Sequence, residues 1–170
     1  ADGVTIKAAG SPAETFDQVI FACHSDAALR LLQDPTREES AALSAIRYQD
    51  NHAVLHRDEG QMPRRKRCWA AWNYLSDGKQ QDAAVGVTYW MNRLQNIPET
   101  DPLFLTLNPA VPVADALIYD ENTFRHPVFD GPALAAQKVL AGMQGQRRTW
   151  FAGAYLRHGF HEDGFASAVR

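Results

Sequence analysis

The residues with the most chemical promise crowd into Trp150-Phe151-Ala152-Gly153-Ala154-Tyr155-Leu156-Arg157-His158-Gly159-Phe160-His161-Glu162-Asp163-Gly164. Gly153, Gly159 and Gly164 permit tight turns and let backbone come close to a ligand. His161-Glu162-Asp163 reads as an acidic helix start, where unpaired N–H groups and the helix dipole favour an anionic or electron-rich partner. The residues alone leave two readings open: a ligand-facing corner, or a glycine-rich strand-to-helix turn with an acidic cap. His158, His161, Glu162 and Asp163 are clustered, but the histidines lie three apart, not four as on a HExxH helix. No third ligand follows at useful spacing, so no metal is expected.

Two further groups have chemical potential. Ala22-Cys23-His24 ends an apolar run, where small residues suit close passage of a ligand and a cysteine equally suits a core gap. No base is set beside Cys23 by sequence, so it is not expected to act as a nucleophile. Alternation in the middle of the chain puts Ala70, Trp72 and Tyr74 on one side of a strand, with Trp69, Ala71 and Asn73 on the other. It likewise sets Thr88, Trp90 and Asn92 against Val87, Tyr89 and Met91. Either these aromatics pack a core, or one face lines an apolar, lipid-like substrate cavity with Asn73 or Asn92 orienting the ligand.

Elements must position these groups. A chain of 170 residues can bury roughly two-thirds of its unfolded surface. A net charge of -3 gives no footprint for nucleic acid, and no apolar run is long enough to span a membrane. Cys23 and Cys68 lack CxxC spacing, which favours a reduced, cytoplasmic setting. Pro63-Arg64-Arg65-Lys66-Arg67 reads as a solvated hairpin tip, with too little apolar help nearby for a membrane surface. The chain starts at Ala1 without an initiator methionine and reads as a piece of something longer.

Gly3 to Lys7 alternates like a short strand, and Phe16 to Cys23 reads as a strand buried on both faces. His24-Ser25-Asp26 offers N-cap chemistry for a helix over 27–32, and Thr36-Arg37-Glu38-Glu39 fits a capping box. Strand-like runs follow at 51–56, 67–75, 85–94, 103–107 and 116–126, separated by Gly, Pro and charged turns. They predict an antiparallel or mixed sheet of about four to six strands. Pro132 opens a helix that Gly145 stops, and Thr149 to Ala152 is a last strand before a closing helix. The order is α+β, in three stretches: 1–47, a sheet-rich 48–130, and 131–170.

Taken together, "FDQVIFACHSDAALRLL" (16–32), "VTYWMNRLQ" (87–95), "LFLTLNP" (103–109) and the "WFxGAYxxxGFHEDG" tail resemble the flavin-containing amine oxidase superfamily, in its bacterial branch of NAD/FAD-binding oxidoreductases. The resemblance implies the later part of a two-domain FAD enzyme. In it, 1–47 returns from the dinucleotide-binding domain, 48–130 binds substrate, and 131–170 caps the flavin. It further implies hydride transfer from a substrate C–H to flavin N5 without a general base. Cofactor contacts would come from Ala22, Cys23, Gly153, Ala154, Tyr155, Gly159, Phe160, His161, Glu162, Asp163 and Gly164, and the tail amides would lie at the pyrimidine edge. Trp72, Tyr74, Tyr89, Trp90 and Asn92 would meet a small, largely apolar substrate.

Three departures from the family pattern bear on this reading. No G-x-G-x-x-G fingerprint occurs, so the Rossmann half is absent and tight FAD binding by this chain alone is not expected. Ala154 stands where many relatives are acidic, and Ser167-Ala168 where many have Ser-Gly. The expected partner is therefore a dinucleotide-binding domain, with homodimerisation through exposed sheet edges also open. The competing class is a non-catalytic module that holds an apolar ligand or another protein.

Overall fold

A computed structural model describes residues 3–75 and 86–169. In chain order the strands and helices are β1 (Val4–Ile6), β2 (Glu14–Phe16), β3 (Val19–Phe21), α1 (Ser25–Leu31), α2 (Arg37–Ser44), β4 (Tyr48–His56), β5 (Trp72–Leu75) and β6 (Gly86–Trp90). They continue with α3 (Met91–Gln95), β7 (Phe104–Leu107), β8 (Ile118–Pro127), α4 (Gly131–Met143), β9 (Thr149–Phe151) and α5 (His161–Ala168). The class is α+β. The chain divides into two compact units, Ala1–Gln49 with His126–Arg170, and Asp50–Arg125.

In the first unit, β1 and β2 form an antiparallel hairpin, while β3 and β9 pair in parallel, Val19 with Thr149 and Phe21 with Phe151. The run at 16–23 is thus divided between two elements. The expectation of a strand buried on both faces fails here, since Ile20 is 65% exposed. Only one face of the pair is covered, by a core in which Ala28, Leu43, Ile46, Ala136, Leu140 and Phe151 meet. The helices begin where side chains satisfy their free amides. Thr36 Oγ1 accepts from Glu39 N at 3.1 Å and Glu39 Oε2 accepts from Thr36 N at 2.6 Å, completing the capping box. Asp130 Oδ1 accepts from Ala133 N at 3.0 Å ahead of α4, with Pro132 in its first turn.

α1 starts differently. His24 makes no side-chain cap bond. Instead the Tyr48 hydroxyl accepts from Ser25 N at 2.8 Å and donates to Ser25 Oγ at 3.2 Å, while its ring stacks on His24 at 4.4 Å.

The second unit is built on a sheet of order β5-β6-β7-β4-β8. Its registers are antiparallel: Trp72 opposite Tyr89, Thr88 opposite Thr106, and Val54 opposite Thr106 on the other side. Two strand expectations shorten. Residues 66–68 form a 3-10 turn, so the strand expected over 67–75 begins at Trp72. The run at 85–94 becomes β6 and then the helical turn α3, because Asn92 bonds forward into the following loop. Val85 lies outside the described residues.

Candidate functional site

Two regions hold the residues singled out by sequence, one in each unit. In the first, the parallel pair β3/β9 ends with its two carboxyl termini side by side, the position where open α/β sheets receive ligands. Ala152 N still donates to Phe21 O at 3.0 Å. Past that bond run Ala22-Cys23 on one strand and Gly153-Ala154-Tyr155 on the other.

The tail beyond β9 is a tightly stapled turn. Gly153 N donates to Ser167 Oγ at 2.9 Å, and Ser167 Oγ donates to Gly164 O at 2.7 Å, so the Gly153 amide is engaged within the chain. Gln137 Nε2 reaches from α4 to the carbonyls of Tyr155 and Arg157, at 3.0 and 2.6 Å. Gly159 has φ +93°, which favours glycine, and a Cβ there would stand 2.9 Å from the Phe129 ring.

Asp163 is buried and turned inward. Its Oδ2 accepts from His158 N at 3.2 Å and Phe160 N at 3.1 Å, with Arg157 Nε 3.8 Å from Oδ1. A carboxylate taking two amides closes the entry into α5. The amides of His161 and Glu162, at the first helical positions, are among those that an α-helix cannot pair internally.

Tyr155 is 2% exposed and its ring belongs to the core, yet its hydroxyl has no hydrogen-bond partner among the described residues. Burial raises its pKa strongly, with Tyr48 and Cys23 close enough to add to the shift. It is a protonated donor without an acceptor, an arrangement that costs about 1–3 kcal/mol. The Cys23 thiol is also pushed up, by burial first and by Asp26 second. It stays protonated, in keeping with a packing or contact role. Phe160 is exposed.

The second region is the sheet of the second unit, whose buried face sets polar side chains beside the apolar Val54 and Phe104. The buried face carries polar groups. Asp58 N donates to His56 Nδ1 at 3.0 Å, which fixes the proton on Nε2. That nitrogen donates to Thr106 Oγ1 at 2.7 Å, and Thr106 Oγ1 lies 2.8 Å from Thr88 Oγ1. His56, Thr88 and Thr106 are fully or almost fully buried, and desolvation lowers the His56 pKa, holding the imidazole neutral.

The outward face carries Trp72, Tyr74 and Tyr89, with Val87, Leu105 and Leu107 beside them in register. Trp72 is 47% and Tyr74 67% exposed. Trp72 meets Tyr89 edge to face at 5.7 Å, and burial with the neighbouring Tyr74 raises the Tyr89 pKa. Soluble surfaces rarely group large apolar side chains this way without a binding role.

The structure brings Trp72, Tyr74 and Tyr89 together but separates Trp90 and Asn92 from them. Trp90 belongs to the opposite face, edge to face with Trp69 at 5.2 Å. Asn92 is buried: its Nδ2 donates to Pro98 O and Asp101 O, both at 2.8 Å, and its Oδ1 accepts from Leu103 N at 2.8 Å. With every polar atom engaged by backbone, it staples a loop. Asn73 is similarly turned inward, exchanging bonds with Ala70. Within Trp72–Leu75 and Gly86–Trp90 the side chains alternate as expected, but residues 69–71 and 91–92 lie outside the strands, and alternation could not say which face is buried. Sequence reasoning also passed over Tyr48 and saw in Ser167 only a departure from the family pattern; the roles of both depend on partners 23 and 14 residues away.

Among the described residues, no three His, Cys, Asp or Glu side chains converge as a metal site, and no helix is long and apolar enough to cross a membrane. No protein-family model matches the chain, and no curated protein matches its sequence. Among solved structures it is similar to the CLA-producing fatty acid isomerase from P. acnes, with a TM-score of 0.62 and 14% identity. The match covers 99% of this chain and 44% of that one, so the chain spans less than half the isomerase's length. At this identity the likeness is one of fold, and the α+β fold of this chain is that of part of the isomerase.

Proposed function

We propose that this chain is the substrate-binding and flavin-capping portion of an FAD-dependent oxidoreductase acting on a largely apolar, fatty-acyl-like substrate. The observation that carries this reading is the outward aromatic face of the second unit, with Trp72 and Tyr74 exposed and Tyr89 half-buried beside them, while the sheet's polar chain is buried. Such a face suits a substrate held by apolar contact and little hydrogen bonding. The fold shared with a fatty acid isomerase supports the same substrate class.

The first unit has groups that fit a flavin. The amides at the start of α5 and the unpartnered Tyr155 hydroxyl are donors, and Ala22 is exposed where β3 ends. Ala22, Cys23, Ala154, Tyr155, His161 and Glu162 would hold the ring system, and Asp163, Gly159, Gly164 and Ser167 would keep that turn in shape. FAD, when bound, would supply the hydride acceptor. The chain's own contribution is to orient the substrate on aromatic surface, exclude water and offer backbone donors where negative charge develops.

The test joins this chain to a dinucleotide-binding segment and follows flavin absorbance through dialysis. Anaerobic addition of an unsaturated fatty acid then probes the substrate. Retained flavin that is perturbed by the fatty acid supports the proposal. Binding of the fatty acid without any flavin retention would overturn the oxidoreductase reading in favour of a ligand-binding module.

A further inference from the structure

On the polar-buried side of the sheet in the second unit lies a cavity of about 170 Å³, lined by Glu59, Lys66, Trp69, Trp90, Glu99 and Pro102. We propose that this cavity is a binding site for an alkylammonium cation. The inference does not rest on the flavin reading, because Trp72, Tyr74 and Tyr89 occupy the opposite face of the sheet.

The walls are rigid. Trp69 Nε1 donates to Pro63 O at 2.8 Å, and its ring meets Trp90 at 5.2 Å and 87° and the buried Phe104 at 5.7 Å and 82°. Two indoles at right angles present an aromatic corner whose electron-rich faces attract a cation. The opposite wall, with Glu99 and Pro102, belongs to the loop that Asn92 staples through Pro98, Asp101 and Leu103. Both sides are therefore held by internal bonds independent of any ligand.

The chain itself shows what the corner accepts. Lys66 Nζ stands 5.0 Å from the Trp69 ring centroid and 2.9 Å from Glu59 Oε1. An ammonium already occupies an aromatic face with a carboxylate as counter-ion, supplied by a side chain that is itself 70% exposed. Lys66 is a tethered, displaceable occupant. Among the side chains that line the cavity two are carboxylates, Glu59 and Glu99, and one is an ammonium, so the lining itself favours an added cation over an anion. Volume decides its size. Pockets for whole drug-sized ligands run to roughly 300–1,000 Å³, so this one suits a cationic head group on a short chain.

The experiment titrates choline chloride into the protein at constant ionic strength and follows the indole N–H resonances of Trp69 and Trp90 by NMR. Saturable shifts are expected with a dissociation constant on the order of 1 mM. Lys66→Met should tighten binding about threefold or more, because a short tether holds its own amine at an effective concentration in the millimolar range. Glu59→Gln in that background should weaken it about tenfold. The uncharged isostere of choline, with carbon in place of nitrogen, should bind at least about tenfold more weakly. The proposal is overturned if the isostere binds as well as choline, if Lys66→Met does not tighten binding, or if no saturable shift appears.

Discussion

The Nε2 of His56 lies 2.7 Å from Oγ1 of Thr106, with both side chains removed from solvent. Because Nδ1 already accepts from Asp58 N, the imidazole has one tautomer available, and Thr106 must take its proton. The pair fixes the middle of the sheet, one strand from β6 and one from β8. Thr106→Val is expected to destabilise the protein by about 1–3 kcal/mol through the orphaned N–H, read as a lower Tm.

The same histidine sets a pH dependence. Burial lowers its pKa in the folded state below the ordinary 6.5, so the unfolded chain takes up the proton more readily. Its contribution is fully present above about 6.5 and is lost as pH falls through the folded value. Thermal melts from pH 7.5 downward should show falling Tm, and His56→Gln should flatten that dependence. A wild-type profile no steeper than the variant's would refute the assignment.

Tyr155→Phe separates a ligand donor from a misplaced hydroxyl. Removing an unsatisfied buried group should leave stability unchanged or raise it by up to about 1 kcal/mol. Under the proposed function, the form joined to a dinucleotide-binding segment should at the same time hold flavin less tightly. Unchanged flavin affinity would remove Tyr155 from the cofactor contacts.

Asp163→Ala deletes the acceptor for two amides at the entry to α5 and should cost about 1–2 kcal/mol, measured by chemical denaturation. Glu162→Ala, one residue earlier on the exposed side of the same turn, should stay within about 0.5 kcal/mol.

Tyr74→Ala tests the aromatic face. With two-thirds of its surface exposed, its loss should change stability by less than about 0.5 kcal/mol. Binding of a fluorescent fatty acid should weaken about tenfold if the face holds substrate. Equal affinity for both proteins would argue that the patch serves another purpose.

Much of this fold is legible in sequence where the cause is local. The Thr36–Glu39 capping box, the start of α4 at Gly131-Pro132 and the period-two faces of β5 and β6 all follow from neighbours within four residues. What escaped depends on distant partners. Tyr48 caps α1 across 23 positions, Ser167 holds Gly153 across 14, and Asn92 turns a predicted strand into a helical turn by reaching loop carbonyls up to nine residues on. The site divides the same way. Alternation put Trp72 with Tyr74 and set Tyr89 against Trp90 and Asn92, but all five were offered as ligand contacts, since residue types alone cannot tell an outward aromatic face from an inward one. The inward polar chain of His56, Thr106 and Thr88 exists only because three separate strands align.

The pairing of β3 with β9 joins Val19 to Thr149, while the stretch Asp50–Arg125 is a compact unit of its own. A parallel pair with so long an intervening segment is slow to find its register, because long-range contacts must close a large loop before they are rewarded. Each doubling of that loop adds only about 0.6 kcal/mol of closure entropy, so the delay is kinetic more than thermodynamic. The segment 50–125 is synthesised before β9, and its folding first would shorten the loop that β3 and β9 must close. Until β9 is made Phe21 lacks its partner Phe151, and apolar surface left open in that way is what favours aggregation during folding.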